Sequence, residues 1–371
     1  MRELGQMYYA TNREIRDLLL SAKQRITESV LHELMRDRGI FCSPHEERET
    51  LVERLSMLIH DYSDVCGIIE RRESSKRSEK TSTISIDVSV TPAELKEIVD
   101  EYQRDEVQER VRHHQRGANG FVMSVEYSEF DYSKTRLLQR QDRDATIEFI
   151  NKDGRTELRL PATEKARAIV QNLKSRIEAK KRKDVRVNEI ELTGLSSPED
   201  RTAFFTRLIS QLPQFPLENV SRLRVAYAGR DQEDGIDIED DEIEDAADKM
   251  LGVVENVALS GENLVASEMY QELKEKGFFI TSITWRARQS VDPYSMVEFD
   301  AGFEDRQAAK GFRYSVRGAL RLKHGAYTKN LRHVEDAEKA QLLTMIEETA
   351  RKVLAQLLTE ASPVVAEEAG Q

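Results

Sequence analysis

The sequence predicts an α+β protein, with an N-terminal helical hairpin appendage followed by one or more mixed or antiparallel sheet domains with packed helices. Three observations predict it. Apolar residues recur at helical spacing over residues 29–61 and again over 334–358. Apolar and polar residues alternate with a period of two over 84–90 and 312–323, which marks half-buried strands. Short hairpin signals such as Asn151-Lys152-Asp153-Gly154 intrude between helical stretches, which disfavours a doubly wound parallel sheet.

Taken in order, residues 1–69 form an N-terminal helical region. Thr11 and Glu14 have the spacing of a capping box that opens a helix to about residue 28. Leu31, Leu34 and Met35 then line one face of a second helix, and Gly39 stands where the left-handed turn at a helix end falls. In Ser43-Pro44-His45-Glu46, Ser suits an N-cap, Pro the first helical position and Glu the third. Leu51, Val52, Leu55 and Leu58 line the helix that follows. Helices this short need a packed partner.

Residues 70–82 are rich in charge and serine and read as a linker. A central α+β domain is expected over 83–230. It opens with a strand over 84–90 and a helix capped by Thr91-Pro92-Ala93-Glu94, running to about His114 with its end cationic. A strand over 121–127, a hairpin over 145–160 and an amphipathic helix over 164–181 follow. The rest is the end of a strand at 190–192, a helix opened by Ser197-Pro198 and a strand over 223–228. Residues 231–250 read as an acidic loop. A C-terminal α+β region spans 251–360, with a strand near Val254, a helix over 267–276, an antiparallel sheet of strands over 278–288, 296–304 and 312–323, and a closing helix. Residues 361–371 form a tail.

The net charge of −12 is concentrated. Eleven acids against one lysine occupy residues 231–250, while residues 1–190 sum to zero, so the remainder is free to carry a basic face. The acidic tract does not fit a calcium loop, because placing Gly235 at the sixth position puts Arg230 at the first ligand position. Cys42 and Cys66 are the only cysteines, far apart, which fits a reducing cytoplasm and argues against a zinc module. No apolar run is long enough to span a membrane and no signal peptide is expected. No phosphate-loop, dinucleotide, zinc-protease or nucleophile-elbow motif is present, so neither a catalytic residue nor a cofactor or bound metal is assigned.

Two basic constellations stand out. Arg313, Arg317, Arg321 and Lys323 alternate with apolar residues, and no acid occurs from Arg306 to Arg332. A strand places such residues on one face, suited to tracking phosphates, with Tyr327 or Trp285 available for stacking. The competing expectation is cross-strand pairing with Glu298, Asp300 and Glu304. The second constellation is Lys180, Lys181, Arg182 and Lys183 at a helix end.

Residues 29–61 resemble the SAP family of helix–extension–helix DNA-binding modules. Leu31 and Met35 precede Arg38-Gly39-Ile40 as leucines precede a basic-Gly-Leu turn in that family, and Ser43, Arg48, Leu51-Val52 and Arg54-Leu55 resemble its later positions. Pro44 stands in place of the usual Gly, and about two extra residues separate Ser43 from Arg48. The resemblance implies duplex DNA binding through the extension and second helix, with Arg38, Ser43, His45, Arg48 and Arg54 as contacts. Acids outnumber bases in this stretch, so most of the attraction to phosphate must come from the other two constellations.

The expectation is therefore a cytoplasmic, non-catalytic nucleic-acid-binding or accessory subunit, with DNA favoured. One alternative is a protein-interaction or assembly subunit of a larger complex. Another is a divergent metal-dependent nuclease with Glu298 and Asp300 as ligands.

Overall fold

The computed structural model describes residues 9–21, 23–72, 79–152, 154–195, 197–227, 240–260, 272–273 and 275–361. The class is α+β, with an N-terminal helical region and a large sheet whose paired strands run antiparallel. The chain divides into two compact units. The first comprises residues 1–78, 100–112 and 124–145; the second comprises 79–99, 113–123 and 146–371.

The first unit is built on α1 (Asn12–Leu20), α2 (Glu28–Asp37), α3 (Arg48–Met57) and α4 (Tyr62–Arg72). Thr11 and Glu14 form the expected capping box. The core joins Ile15, Leu18 and Leu19 of α1 to Leu31 and Met35 of α2, Leu51, Val52 and Leu55 of α3, and Val65, Ile68 and Ile69 of α4. Three boundaries differ from expectation. α1 stops at Leu20 rather than near residue 28. α3 begins at Arg48, so Ser43 does not cap it; the Ser43 hydroxyl instead accepts from the His45 amide at 3.3 Å in a separate turn. The expected linker is helical to Arg72, where α4 ends, and residues 73–78 lie outside the described residues.

Further along come β1 (Thr81–Ile86), α5 (Pro92–Asp105), β2 (Arg110–Arg116), β3 (Gly120–Phe130), α6 (Arg136–Gln139), β4 (Arg140–Lys152) and β5 (Arg155–Pro161). They are followed by α7 (Glu164–Lys181), β6 (Val187–Glu189), α8 (Pro198–Ser210), β7 (Leu217–Tyr227) and α9 (Asp240–Ser260). The chain continues through β8 (Phe278–Arg288), β9 (Met296–Asp305), β10 (Lys310–Leu320), the short pair β11 (Leu322–Lys323) and β12 (Ala326–Tyr327), and α10 (Asp336–Ala361). The sheet order is β2-β3-β4-β5-β1-β10-β9-β8-β7, with β6 on β1.

Three expectations over this stretch are corrected. His113 and His114 lie on β2, not at a helix end, because α5 stops at Asp105. Residues 240–250 are the start of α9 rather than loop, while 231–239 lie outside the described residues. The stretch around Val254 is the continuation of α9, whose Met250, Val253 and Val254 are buried at helical spacing. Most of the helix expected over 267–276 lies outside the described residues.

In the second unit the sheet carries helices on both faces. Over β7–β10, one face bears Trp285, Phe299, Phe303, Phe312 and Tyr314, packed in a single core with Phe204, Phe205 and Leu208 of α8, Met250 and Val253 of α9, and Ile346, Ala350 and Val353 of α10. Glu347 of α10 is buried on that side. It accepts from Arg159 at 2.9 Å and Tyr314 at 3.1 Å and also bonds the Thr83 hydroxyl. Burial, then the neighbouring carboxylate, holds the Tyr314 hydroxyl protonated, its pKa well above the ordinary value. Ile84, one residue from Thr83, therefore points to the opposite side, where it lines a cleft with Arg167 and Val170 of α7.

Candidate nucleic-acid interface

The side of β7–β10 opposite the aromatic core is polar, and its composition follows from register. Cross-strand partners lie directly opposite and share a face. One row runs Arg224, Ser282, Gly302, Arg313 across β7, β8, β9 and β10. The next runs Arg222, Thr284, Asp300, Ser315, and the third runs Asn219, Arg286, Glu298, Gly318. With strands about 4.8 Å apart, each row spans about 14 Å between its outer Cα atoms. Only small residues, Ser282 and Gly302, lie between Arg224 and Arg313 in their row. A Cβ on Gly302 would stand 2.7 Å from the Ser282 Cβ, so the close approach of β8 and β9 requires glycine there.

The acids on this face are occupied. Glu298 is 3% exposed, accepts from Arg286 at 2.8 Å and pairs with Arg317 at 3.0 Å. Asp300 pairs with Lys80 and accepts from Thr284 at 3.0 Å. At the edge, Glu304 pairs with Arg167 at 2.8 Å. Gly311 lies under that pair at a positive φ of 69°, and a side chain there would meet the Arg167 guanidinium. Arg222, Arg224 and Arg313 have no ion-pair partner among the described residues, and Arg222 and Arg224 are exposed. The face thus holds three unpaired arginines, two arginines sharing one carboxylate, and one neutral lysine–aspartate pair.

The expected stripe from Arg313 to Lys323 is only partly one surface. A bulge between Val316 and Gly318 shifts the alternation, and β10 ends at Leu320. Arg317 still reaches Glu298, as the pairing expectation had it. Arg321 leaves the sheet and forks onto Glu338 of α10 at 2.9 and 2.5 Å, and this hydrogen bonding to a carboxylate raises its pKa. Lys323 is exposed on β11. The stacking candidates fail on position. Trp285 is fully buried on the aromatic side, and the Tyr327 hydroxyl donates to the Tyr294 carbonyl at 3.2 Å.

At the end of α7, Lys180 pairs with Glu97 and Lys181 with Glu94 at 2.6 Å. The Glu94 carboxyl is held down at about 2, chiefly by that lysine. Arg182 takes the left-handed cap at φ 50°, and both it and Lys183 are exposed.

In the first unit Arg38, Arg48 and Arg54 of the SAP-like stretch face inward or onto acids. Arg48 donates to the Leu19 carbonyl at 3.1 Å and to the Ile26 carbonyl, satisfying the end of α1 and the following turn. Arg38 donates to the Ile59 carbonyl at 2.7 Å and pairs with Asp64 at 2.6 Å. Arg54 pairs with Glu46 at 2.7 Å. Ser43 and His45 are exposed in the turn between the helices.

No group of three His, Cys, Asp or Glu side chains among the described residues is placed to hold a metal ion. Glu298 and Asp300 do share a face, yet arginines, lysine and threonine fill the positions a metal would take. No helix among the described residues is long and apolar enough to cross a membrane.

The sequence reading does not single out Arg222, Arg224 and Arg286. The signal was present in Arg222-Leu223-Arg224-Val225, an alternation of the same kind as that in β10. What the sequence lacked was the register that sets β7 and β10 at opposite ends of the same rows. No protein-family model matches this chain, and no curated protein matches it significantly.

Proposed function

We propose that the polar face of β7–β10 binds the phosphate backbone of nucleic acid, with duplex DNA as the favoured ligand, and that the protein acts as a non-catalytic binding or accessory subunit. The observation that carries this is the row geometry. Arg222 and Arg224 on β7 and Arg313 on β10 flank a floor of Ser282, Gly302 and Thr284, and none of the three is neutralised by an acid among the described residues. Arginine matches phosphate oxygens through paired donors. The face lacks exposed aromatic rings, so it offers unstacked bases no platform. Recognition through the backbone of an already stacked duplex suits it better, with little dependence on base sequence. Exposed Arg182 and Lys183 add a second cationic point on the same unit. In the SAP-like stretch, Arg38, Arg48 and Arg54 are committed to the fold of their own unit, so the hairpin contributes less charge than its sequence implies.

The test is binding of a fluorescent duplex by the full-length chain and by Arg222→Glu/Arg224→Glu. Binding should be lost on reversal while the melting temperature holds. Equal binding by both proteins would move the interface elsewhere.

A further inference from the structure

We infer that the α2–α3 end of the helical unit is a docking site for a basic, apolar-anchored protein segment. Large apolar side chains left in water are not spread evenly over the chain. Among the described residues, all those more than 60% exposed belong to the helical unit: Tyr9, Phe41, Met57, Ile59, Val107 and Tyr132. Two of them are almost wholly in solvent, Phe41 at 98% and Ile59 at 93%. Arg38 ties together the two segments that carry them. Arg38, three residues before Phe41, donates to the Ile59 carbonyl at 2.7 Å and contacts the His60 ring at 3.1 Å. Its pair with Asp64 clamps the start of α4 to the same point, and Tyr62 lies half-exposed beside it.

The core of the unit gives no reason for this exposure. It is already closed by α1, α2, α3 and α4, and Phe41 is not among its members. A phenylalanine and an isoleucine on two connections braced by Arg38 have the form of interface anchors rather than of scattered surface residues. Charge selects the occupant. Glu33, Asp37, Glu47, Glu49, Glu53 and Asp61 lie on the same helices and connections and are exposed, and among the described residues only Glu33 and Asp37 of them lie near a base, Arg71 at 3.8 and 3.9 Å. Of the four arginines between residues 28 and 64, Arg38, Arg48 and Arg54 are consumed internally, which leaves Arg36. An acidic surface of this kind repels phosphate and attracts lysine and arginine. An amphipathic helix with apolar anchors at i, i+3 or i+4 and a basic remainder matches both features. This site is separate from the sheet face and stands or falls independently of it.

The test uses the full-length protein and three labelled synthetic helices: one of leucine and lysine at amphipathic spacing, one of leucine and glutamate, and one of serine and lysine. The leucine–lysine peptide should bind. Phe41→Ala/Ile59→Ala, which removes only exposed side chains, should weaken it roughly tenfold or more, with no change in melting temperature. The other two peptides should bind far more weakly. Several results would overturn the inference. These are undiminished binding by the double variant, equal binding of the serine–lysine peptide, or self-association of the wild type that Phe41→Ala/Ile59→Ala abolishes, which would make the occupant a second copy of this chain.

Discussion

Glu298→Gln separates the two roles that a buried carboxylate plays on a cationic face. Glu298 is 3% exposed and holds Arg286 at 2.8 Å and Arg317 at 3.0 Å. The side chains of those arginines are 35% and 46% exposed, so solvent screens part of the attraction. Glutamine keeps the volume and one acceptor but removes the charge, and we expect a loss of about 1–2 kcal/mol in stability. Binding should change in the opposite direction. The face offers about four uncompensated positive charges: Arg222, Arg224, Arg313 and one surplus from the pair sharing Glu298. Each cation that releases a counterion from duplex DNA adds about 0.9 to the slope of log K against log salt. Freeing a fifth should steepen the slope from about −3.6 to about −4.5 and tighten binding about eightfold at roughly 0.1 M salt. Urea denaturation and fluorescence anisotropy read the two effects on the same preparation. A variant that is less stable and also binds DNA more weakly would refute the assignment of Arg286 and Arg317 to the interface.

Arg48→Gln should cost about 1–3 kcal/mol in urea denaturation, because the Leu19 and Ile26 carbonyls lose their charged donor, while the salt slope of DNA binding stays unchanged. Glu347→Ala removes the nearer carboxylate of buried Arg159, leaving Glu148 at 3.5 Å, together with the acceptor of the Tyr314 hydroxyl, and should destabilise by about 1–3 kcal/mol, read by chemical denaturation. Glu14 is held down at about 2, chiefly by its hydrogen bond to Arg136, against an ordinary 4.5. The folded value is the lower one, so this pair's contribution is complete above about pH 4.5 and is lost as pH falls towards 2. In thermal melts over that window, Glu14→Gln should lose less stability with acid than the wild type does.

The fold class was legible because it rests on periodicity, and periodicity is local. The alternation in Phe312, Tyr314 and Val316 correctly placed these residues on the buried side of β10. It fails beyond Val316, where a bulge changes the face and Gly318 is its one local mark. The sequence of β2 does not mark a half-buried strand, because Arg110–Arg116 holds a single buried apolar residue, Val111. The apolar run around Val254 looked like a strand, but the burial of Met250, Val253 and Val254 shows a helical stripe, a pattern short apolar runs do not distinguish. Ser43 and Pro44 carry cap chemistry that the chain spends on a turn, four residues before α3 begins. The same limit applied to charge. Sequence listed the cations, but which of them meet an acid is set by register and by helix docking, as Arg317 on Glu298 and Arg321 on Glu338 show.

In the proposed interface, β7 and β10 supply the phosphate contacts. The most direct measurement is the salt dependence of duplex DNA binding for the wild type and for Arg222→Ala/Arg224→Ala. With about four contacts, the wild type should lose about 150-fold in affinity between roughly 50 and 200 mM salt. The variant, with about two, should lose about 12-fold. Parallel slopes for the two proteins, or no binding by the wild type at the lowest salt, would contradict the account.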